Sequence, residues 1–260
     1  MKLKLFILLA IVIVLAAPAV TAQQSADSGR EMTVEESYLQ EAIELMIIRE
    51  TSRTDNLEQK LIALDYIGNA IERGNTSNEI RMALEYLALE STQNKATERR
   101  RVVNDYPEVR RQAAKHLGTL GTPEAKATLI RICTSDKEPM VLQEAIKSLG
   151  SIEAENSDDA VSVIVWLVNR FNVSSAPDSL MALAAIDSLD KIAERNKGLK
   201  DPSAIQLLIR IAEGSYPMAV REKARQALMD LRKYTSQGSK DNQQQQQNQN
   251  QQNQQQQQRQ

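Results

Sequence analysis

The sequence predicts an all-α fold, a right-handed α-solenoid of about five antiparallel helix pairs. The first observation is a repeat, because the pattern of residues 105–120 (DYPEVRRQAAKHLGTL) returns 32 residues later at 137–152 (KEPMVLQEAIKSLGSI). The second is the helical spacing of the apolar residues in the first copy, Val109, Ala113, Leu117 and Leu120. A single unit cannot bury such a stripe, so stacked copies must form one continuous core with a long surface. The pattern therefore indicates an interaction protein.

The chain begins with a segment typical of a secretory signal peptide. Lys2 and Lys4 precede an apolar run over 5–15, and a Val-x-Ala sequence suits cleavage after Ala22. The run is shorter than the roughly 20 apolar residues that a membrane span needs. We therefore expect residues 1–22 to be removed and a soluble bacterial protein to reach the periplasm or the medium. An uncleaved anchor is the alternative, and it would be the only contact with a membrane.

The charge balance and the cysteine content limit the partners and the compartment. Removing residues 1–22 takes away two lysines, which leaves 32 − 2 = 30 basic against 34 acidic residues, a net charge of −4. No broad basic surface for nucleic acid is expected, and export would separate the protein from nucleic acid. Cys133 is the only cysteine, so no internal disulfide can form and stability must come from helix packing.

The first part of the predicted solenoid contains three helices. Residues 23–31 are small and polar, and the segment 23–32 is expected to be a flexible lead-in. Thr33 and Glu36 form a capping-box pattern at the start of the first helix. A second helix is predicted over about 55–72 and a third over about 77–91.

The rest of the chain gives seven more helices and a polar tail. The long basic connection before Pro107 is expected to contain an extra helical turn near 99–103. The helices that follow are predicted at 107–119, 123–133, 139–151, 158–172, 178–196, from Asp201 onward, and at 220–231. The solenoid thus covers 33–234. The tail, 235–260, is rich in Gln and Asn, is expected to be disordered, and could support self-association.

The residues of the repeat resemble those of a known family. The segment VRRQAAKHLGTLGTPEA, at 109–125, and its copies at 139–152 and 220–231 resemble HEAT repeats of the bacterial type. The resemblance covers roughly 33–234 and is strongest between 105 and 152. It implies a curved stack of antiparallel helix pairs that holds partners, usually other proteins, on its inner surface. It favours a scaffold over an enzyme.

The resemblance also implies a candidate binding face. In such stacks the second helix of each pair lines the concave side, so polar residues off the apolar stripe would face the partner. The basic candidates are Arg110, Arg111, Lys115, Lys147, Lys191, Arg221, Lys223 and Arg225. We expect these residues to form a trough that favours an acidic segment of a partner protein. An ordinary solvated helix face is the alternative, because amphipathic helices carry charge on their outer side.

The sequence offers almost no catalytic constellation. His116 and Cys133 fall on consecutive predicted helices, so a nucleophile and a base could meet. Cys133 lies four residues after Leu129 on the apolar side of its helix, however, and is expected to be a core residue. No metal-ligand spacing and no glycine-rich phosphate loop is present in the sequence. We therefore expect no catalytic residue, no metal, no cofactor and no enzymatic activity.

Four large side chains are assigned to packing or to contact. Trp166 and Met181 lie among aliphatic residues at helical spacing and are expected in the core. Tyr106 and Tyr216 each precede the proline that opens a second helix. Their rings could pack against the preceding connection or form a row of aromatic contacts for a partner, and the sequence leaves both open.

The leading functional expectation is an exported, non-catalytic scaffold that binds a partner protein on its concave helical face. The first alternative is an assembly or envelope structural protein that self-associates through its tail and the ends of its stack. The second is one of the few HEAT-like enzymes, such as a chromophore lyase. The resemblance permits this second alternative, but export and the lack of acid and base clusters oppose it.

Overall fold

A computed structural model describes residues 33–153, 157–171 and 177–234. The chain divides into two compact units, Met1–Ile43 and Glu44–Gln260. The expected signal peptide (1–22), lead-in (23–32) and tail (235–260) lie outside the described residues.

The described residues are almost entirely helical, and the all-α solenoid is confirmed. The helices are α1 (Val34–Ser52), α2 (Leu57–Glu72), α3 (Asn78–Ala88), α4 (Pro107–Leu120), α5 (Pro123–Ser135), α6 (Pro139–Ser151), α7 (Asp158–Phe171), α8 (Ser179–Asn196), α9 (Pro202–Glu213) and α10 (218–234). A short hairpin between α3 and α4 contains β1 (Thr97–Glu98) and β2 (Arg101–Val102).

The helices of the second unit form two rows. Helices α3, α5, α7 and α9 pack one on the next and form what we call the first row, while α2, α4, α6 and α8 form the second row. Helix α10 extends the second row, because Lys223 pairs with Asp187 of α8 and Arg225 donates to the carbonyl of Ala212 on α9. Consecutive helices alternate between the rows, so each pair is antiparallel.

Several helix starts follow the caps expected from the sequence. The amide of Glu36 donates to the Thr33 hydroxyl at 3.2 Å, and the Thr33 amide donates to Glu36 Oε2 at 2.9 Å. Thr122 accepts a hydrogen bond from the Ala125 amide at the start of α5. Asp201 does the same for the Ser203 amide at the start of α9. Hydrogen bonds between residues close in sequence therefore define these helix starts, independently of tertiary packing.

The second-row helices approach each other closely at glycine residues. A Cβ atom on Gly118 of α4 would lie 2.7 Å from Ser148 Cβ of α6. One on Gly150 of α6 would lie 2.5 Å from Ser188 Cα of α8. The Ser188 hydroxyl lies 2.9 Å from the Ile146 carbonyl of α6, so a hydrogen bond crosses the same contact. The apolar stripe beside these contacts is buried, as Leu149 shows with 2% exposure.

The long connection differs from the expected helical turn. Thr97 pairs with Val102 and Glu98 with Arg101 in an antiparallel hairpin. Arg99 and Arg100 occupy its two-residue turn with φ angles of 48° and 67°. Two central residues with positive φ match the twist of short hairpins. The prediction was wrong because it considered the polar composition and not the local β-pairing across the two arginines.

One of the two core assignments is confirmed and the other is wrong. Met181 is fully buried, but 46% of Trp166 is exposed. Helix α7 is a first-row helix whose outer side faces solvent, and Trp166 lies on that side with Arg170, whose guanidinium is 5.6 Å from the ring centroid. Because the apolar run of α7 is nearly continuous, its sequence did not indicate which side of the helix faces solvent.

Candidate functional site

Arg110 does not lie on an exposed binding face. Only 2% of its surface is exposed, and its Nε donates to Asp136 Oδ2 at 2.7 Å. Its Nη1 donates to Asp105 Oδ1 at 2.7 Å and to the Ser91 hydroxyl at 3.1 Å. The expectation that Arg110 contacts a partner was therefore wrong. Arg110 directly follows Val109 of the apolar stripe. Its side chain extends toward the next helix pair, where it forms an ion pair with Asp136.

The carboxylate that receives Arg110 is itself fixed by the backbone. Asp136 Oδ1 accepts the amides of Lys137 and Glu138 at 2.7 and 3.0 Å. Burial disfavours the charged guanidinium, but its hydrogen bonds to Asp136 and Asp105 outweigh that effect and raise the pKa of Arg110. The hydrogen bond from Arg110 also lowers the pKa of Asp105. This group of side chains holds two helix pairs together.

A second buried ion pair joins the first two pairs of the second unit. Lys60 of α2 is fully buried, and its Nζ lies 2.6 Å from Glu90 Oε1, just after α3. Asn104 donates to Glu90 and to the Asn94 carbonyl and accepts the Ala96 amide, which closes the base of the hairpin. Burial raises the pKa of Glu90 despite its hydrogen bond to Lys60. This pair was not predicted from the sequence, although Lys60 stands 50 residues before Arg110, the offset between α2 and α4 in the repeat.

Most of the other predicted basic residues have acidic neighbours within the chain. The closest nitrogen–oxygen distances are 2.6 Å for Arg111 with Glu108, 2.5 Å for Lys223 with Asp187, 2.5 Å for Arg225 with Glu222 and 3.9 Å for Lys147 with Glu144. Lys115 and Lys191 are exposed, and Lys191 lies 3.3 Å from the Ser151 hydroxyl. The outer face of the second row therefore carries mixed charge and is not a uniformly basic trough.

The charge on this face changes along the row. The exposed cations Lys115 and Lys147 lie on α4 and α6. Helix α8 presents Asp190 and Glu194. Partial burial raises the pKa of Asp190, and the nearby carboxylates of Asp230, Glu194 and Asp187 add to the effect. Lys191 of α8 is exposed as well, so exposed lysines occur on α4, α6 and α8, and α8 adds the exposed carboxylates of Asp190 and Glu194.

Arg221 lies at the C-terminal end of the stack. Its Nε is buried and has no hydrogen-bond partner within the described residues. The carboxylate that Arg110 finds in the next pair has no counterpart for Arg221, because α9 and α10 form the last pair that the structure describes.

The two tyrosines pack against the chain itself. The Tyr106 hydroxyl donates to the Asp55 carbonyl at 2.9 Å, in the connection of the preceding pair. Tyr216 is 6% exposed, and burial raises the pKa of its phenol, with a further contribution from Asp178 of the preceding connection. Both tyrosines therefore pack against the preceding connection. This is one of the two alternatives that the sequence left open, the other being a row of aromatic contacts for a partner.

His116 and Cys133 do not form a nucleophile and base pair. Cys133 is completely buried, and burial raises the pKa of its thiol to about 12. The thiol is therefore protonated at neutral pH and is a poor nucleophile. His116 packs against Gly68 of α2, where an added Cβ would lie 2.8 Å from its Cε1 atom, and burial lowers its pKa.

The described part of the chain contains neither a candidate metal site nor a helix that could span a membrane. No cluster of three His, Cys, Asp or Glu residues in 33–153, 157–171 and 177–234 could hold a metal ion. None of the helices in these ranges has both the length and the apolar character needed to cross a membrane.

The fold and the repeated contacts between pairs define an α-solenoid of the HEAT type. The family described as HEAT repeats matches residues 100–174. This match agrees with the resemblance to HEAT repeats, which is strongest between 105 and 152. No curated protein matches it. Among solved structures, it is similar to a chain in the complex of CpcE and CpcF of phycocyanin lyase from Nostoc sp. PCC7120. The TM-score is 0.50 and the identity 21%, over 81% of this chain and 70% of that one.

The structural likeness corrects one expectation from the sequence. Because acid and base clusters are missing from the sequence, we expected a protein without enzymatic activity. The similar chain occurs in the complex of CpcE and CpcF of phycocyanin lyase, so a chain of similar fold occurs in a lyase complex. At 21% identity the likeness shows the fold alone. The absence of recognisable catalytic motifs is therefore no ground for excluding enzymatic activity.

Proposed function

We propose that this protein is an exported HEAT-repeat protein that binds a partner protein along the exposed face of its second-row helices. The observation that carries the proposal is a series of exposed lysines on three successive second-row helices, Lys115, Lys147 and Lys191, with the exposed acids Asp190 and Glu194 on α8. An extended polar face built from successive parallel helices is the usual binding surface of helical repeat proteins. The complex of CpcE and CpcF, in which the similar chain occurs, supports a protein as the partner.

The close helix contacts support the second row as the inner side of the stack. At Gly118 and Gly150 the helix backbone lies close to Ser148 and Ser188 of the next second-row helix. Helices α4, α6 and α8 are therefore closely spaced. No glycine occurs in α5, α7 or α9, which occupy the corresponding places in the first row. A stack whose spacing is shorter in one row bends toward that row. The second-row face is therefore the side on which a partner would be enclosed.

The partner chemistry differs from the acidic segment expected at first. Lys115 and Lys147 suit an acidic part of the partner, while Asp190 and Glu194 suit a basic part. Complementary charge of this kind mainly increases the association rate and fixes the orientation of a partner. The proposed ligand is a protein surface or helix with acidic residues that reach the exposed lysines and with basic residues that reach the carboxylates of α8.

Export is part of the proposal and has its own test. Lys2, Lys4, the apolar run over 5–15 and the Val-x-Ala sequence support removal of residues 1–22. Mass spectrometry of the native protein should find Gln23 as the first residue. An intact Met1 in the membrane fraction would contradict a soluble exported protein.

The binding face is tested by charge reversal at two exposed positions. The double variant Lys115→Glu with Lys147→Glu reverses the charge of two of the exposed lysines while leaving the buried pairs intact. Exposed charges interact over about 8 Å at physiological ionic strength, so partner capture from the exported fraction should fall and should depend on salt. Reversal of Arg110 is unsuitable for this test, because it would place a carboxylate in a buried acidic cluster.

The matched control is Lys137→Glu, an exposed lysine in the connection before α6. It changes the net charge in the same direction without touching the face. Circular dichroism should give equal helical content for all variants. Equal recovery of the same partner by the wild type and the double variant would refute the proposed face.

A further inference from the structure

The C-terminal end of the first row leaves an apolar stripe uncovered. The caps Thr122 and Asp201 and the start of α7 at Asp158 align the three first-row helices residue by residue. In this alignment Ile205 and Ile209 of α9 take the places of Val161 and Val165 of α7. The two valines are 3% and 6% exposed, and α9 packs against their helix. The two isoleucines are 37% and 40% exposed.

The second row ends in the same way. Offsets of the repeat place Met229 of α10 where α4 has Gly118 and α6 has Gly150, the glycines that face the following helix. Met229 is 54% exposed and Arg225, on the same side one turn earlier, is also exposed. We call Ile205, Ile209, Arg221, Arg225 and Met229 the C-terminal end face. Terminal repeats of soluble solenoids normally carry a polar outer face, and this one is partly apolar.

A cation on the end face lacks the acid that the repeat pattern provides elsewhere. Lys60 of α2 and Arg110 of α4 hold the same position in the repeat. Each pairs with a carboxylate just after the first-row helix of the following pair, at 2.6 Å for Glu90 and 2.7 Å for Asp136. Arg221 of α10 is the third cation at this position, and its buried Nε has no partner. The C-terminal end face thus presents the kinds of residue with which an internal pair contacts the next pair, but no next pair follows among the described residues.

We propose that a second copy of this chain docks its N-terminal end onto the C-terminal end face. The N-terminal end of the second row presents Ile62 and Tyr66 of α2, which are 45% and 36% exposed. The repeat aligns them with Ala184 and Ser188 of α8, which are buried against α6. Docking would cover both apolar patches at once.

The charges of the two ends are complementary. The N-terminal end carries the exposed acids Asp55, Glu58 and Asp65. Asp55 follows α1 as Glu90 follows α3 and Asp136 follows α5. It is therefore the carboxylate that a second copy would bring to Arg221. An opposite charge that reaches a partly buried guanidinium gives orientation as well as attraction.

Within 33–153, 157–171 and 177–234, no segment covers Ile205 and Ile209. Beyond Tyr234 the sequence contains no aliphatic or aromatic residue. A segment without apolar groups cannot replace the hydrophobic contact that Ile205 and Ile209 lack. Because the docked surfaces are different, the interface is head-to-tail, so copies add in one direction into an open chain or a closed ring.

The test uses the full chain in sedimentation velocity with one variant for each end. Ile205→Glu with Ile209→Glu disables the C-terminal end, and Ile62→Glu with Tyr66→Glu disables the N-terminal end. The wild type should associate as its concentration rises, and each variant alone should stay monomeric. An equimolar mixture of the two variants should form a one-to-one dimer, because each retains the end that the other lacks.

Further variants separate end docking from non-specific hydrophobic association and from folding defects. Trp166→Glu removes an equally exposed apolar side chain away from both ends and should leave association unchanged. Arg221→Glu should weaken association at least about tenfold, and Asp55→Arg in the same chain should restore it. The partner-binding variant Lys115→Glu with Lys147→Glu should associate like the wild type, which separates this proposal from the proposed function.

Three outcomes would overturn the proposal. The wild type could remain a monomer at all concentrations. Both end variants could associate as well as the wild type, which would assign association to the tail. The mixture could fail to form a dimer although circular dichroism shows both variants folded.

Discussion

Arg110 and Asp136 join two helix pairs through a buried ion pair in which the guanidinium Nε lies 2.7 Å from the carboxylate. We expect Arg110→Leu to reduce the free energy of unfolding by about 3 to 5 kcal/mol, because it leaves a buried carboxylate without its cation. Chemical denaturation measures the change. Arg111→Leu is the matched control, since Arg111 forms a partly exposed pair with Glu108, and its cost should stay below about 1 kcal/mol. Equal costs would mean that Arg110 is not buried as described.

Leu149 lies on the shared apolar stripe and is 2% exposed. Leu149→Ala should cost about 2 to 5 kcal/mol, the range for large-to-small changes in a packed core. Leu180→Ala removes the same atoms at a position that is 62% exposed, and should change stability by no more than about 0.5 kcal/mol. A loss below that value for Leu149→Ala would show that the repeat register is wrong.

Position 150 requires glycine, because the packing of α6 against α8 leaves no space for a side chain. Its missing Cβ would lie 2.5 Å from Ser188 Cα, so Gly150→Ala must push α6 away from α8. We expect a cost of about 1 to 3 kcal/mol from overpacking, although alanine is the better helix former. The neighbouring exposed change Ser151→Ala should be nearly neutral. Thermal unfolding of the two variants compares them directly, and a stabilising Gly150→Ala would contradict the close approach.

Asp190 provides a pH-dependent prediction. Burial and the neighbouring acids raise its pKa in the folded state, so folding favours the protonated carboxyl. That contribution is complete below the unfolded pKa, about 4, and is lost as the pH rises through the folded pKa. Asp190→Asn should therefore be more stable than the wild type at pH 7, and the difference should disappear below about pH 4. A melting-temperature difference that is constant with pH would refute this effect.

The repeat in the sequence was sufficient to predict the rows of helices and the burial of Leu149. It was sufficient because helical spacing and caps are local properties of the chain. The buried pairs were not predicted, since Arg110 and Asp136 are 26 residues apart and meet only when two pairs stack. A usable signal existed in the recurrence of a cation at Lys60, Arg110 and Arg221.

The prediction of a basic trough overestimated the positive charge of the second-row face, because it did not consider ion pairs within one helix. The contacts of Arg111 with Glu108 and of Arg225 with Glu222 join residues three apart on one helix. Such spacing brings side chains together on any helix surface, so this neutralisation could have been recognised in the sequence. The pairing of Lys223 with Asp187, on different helices, could not.

The hairpin before α4 gives the molecule a built-in proteolytic reporter. Arg99, Arg100 and Arg101 are consecutive exposed arginines, and trypsin cleaves after arginine only when the surrounding backbone can extend into its active-site cleft. The hairpin hydrogen bonds and the Asn104 contacts hold this backbone closed. The rate of nicking at these arginines therefore measures how often the joint between α3 and α4 opens while the rest of the stack stays folded.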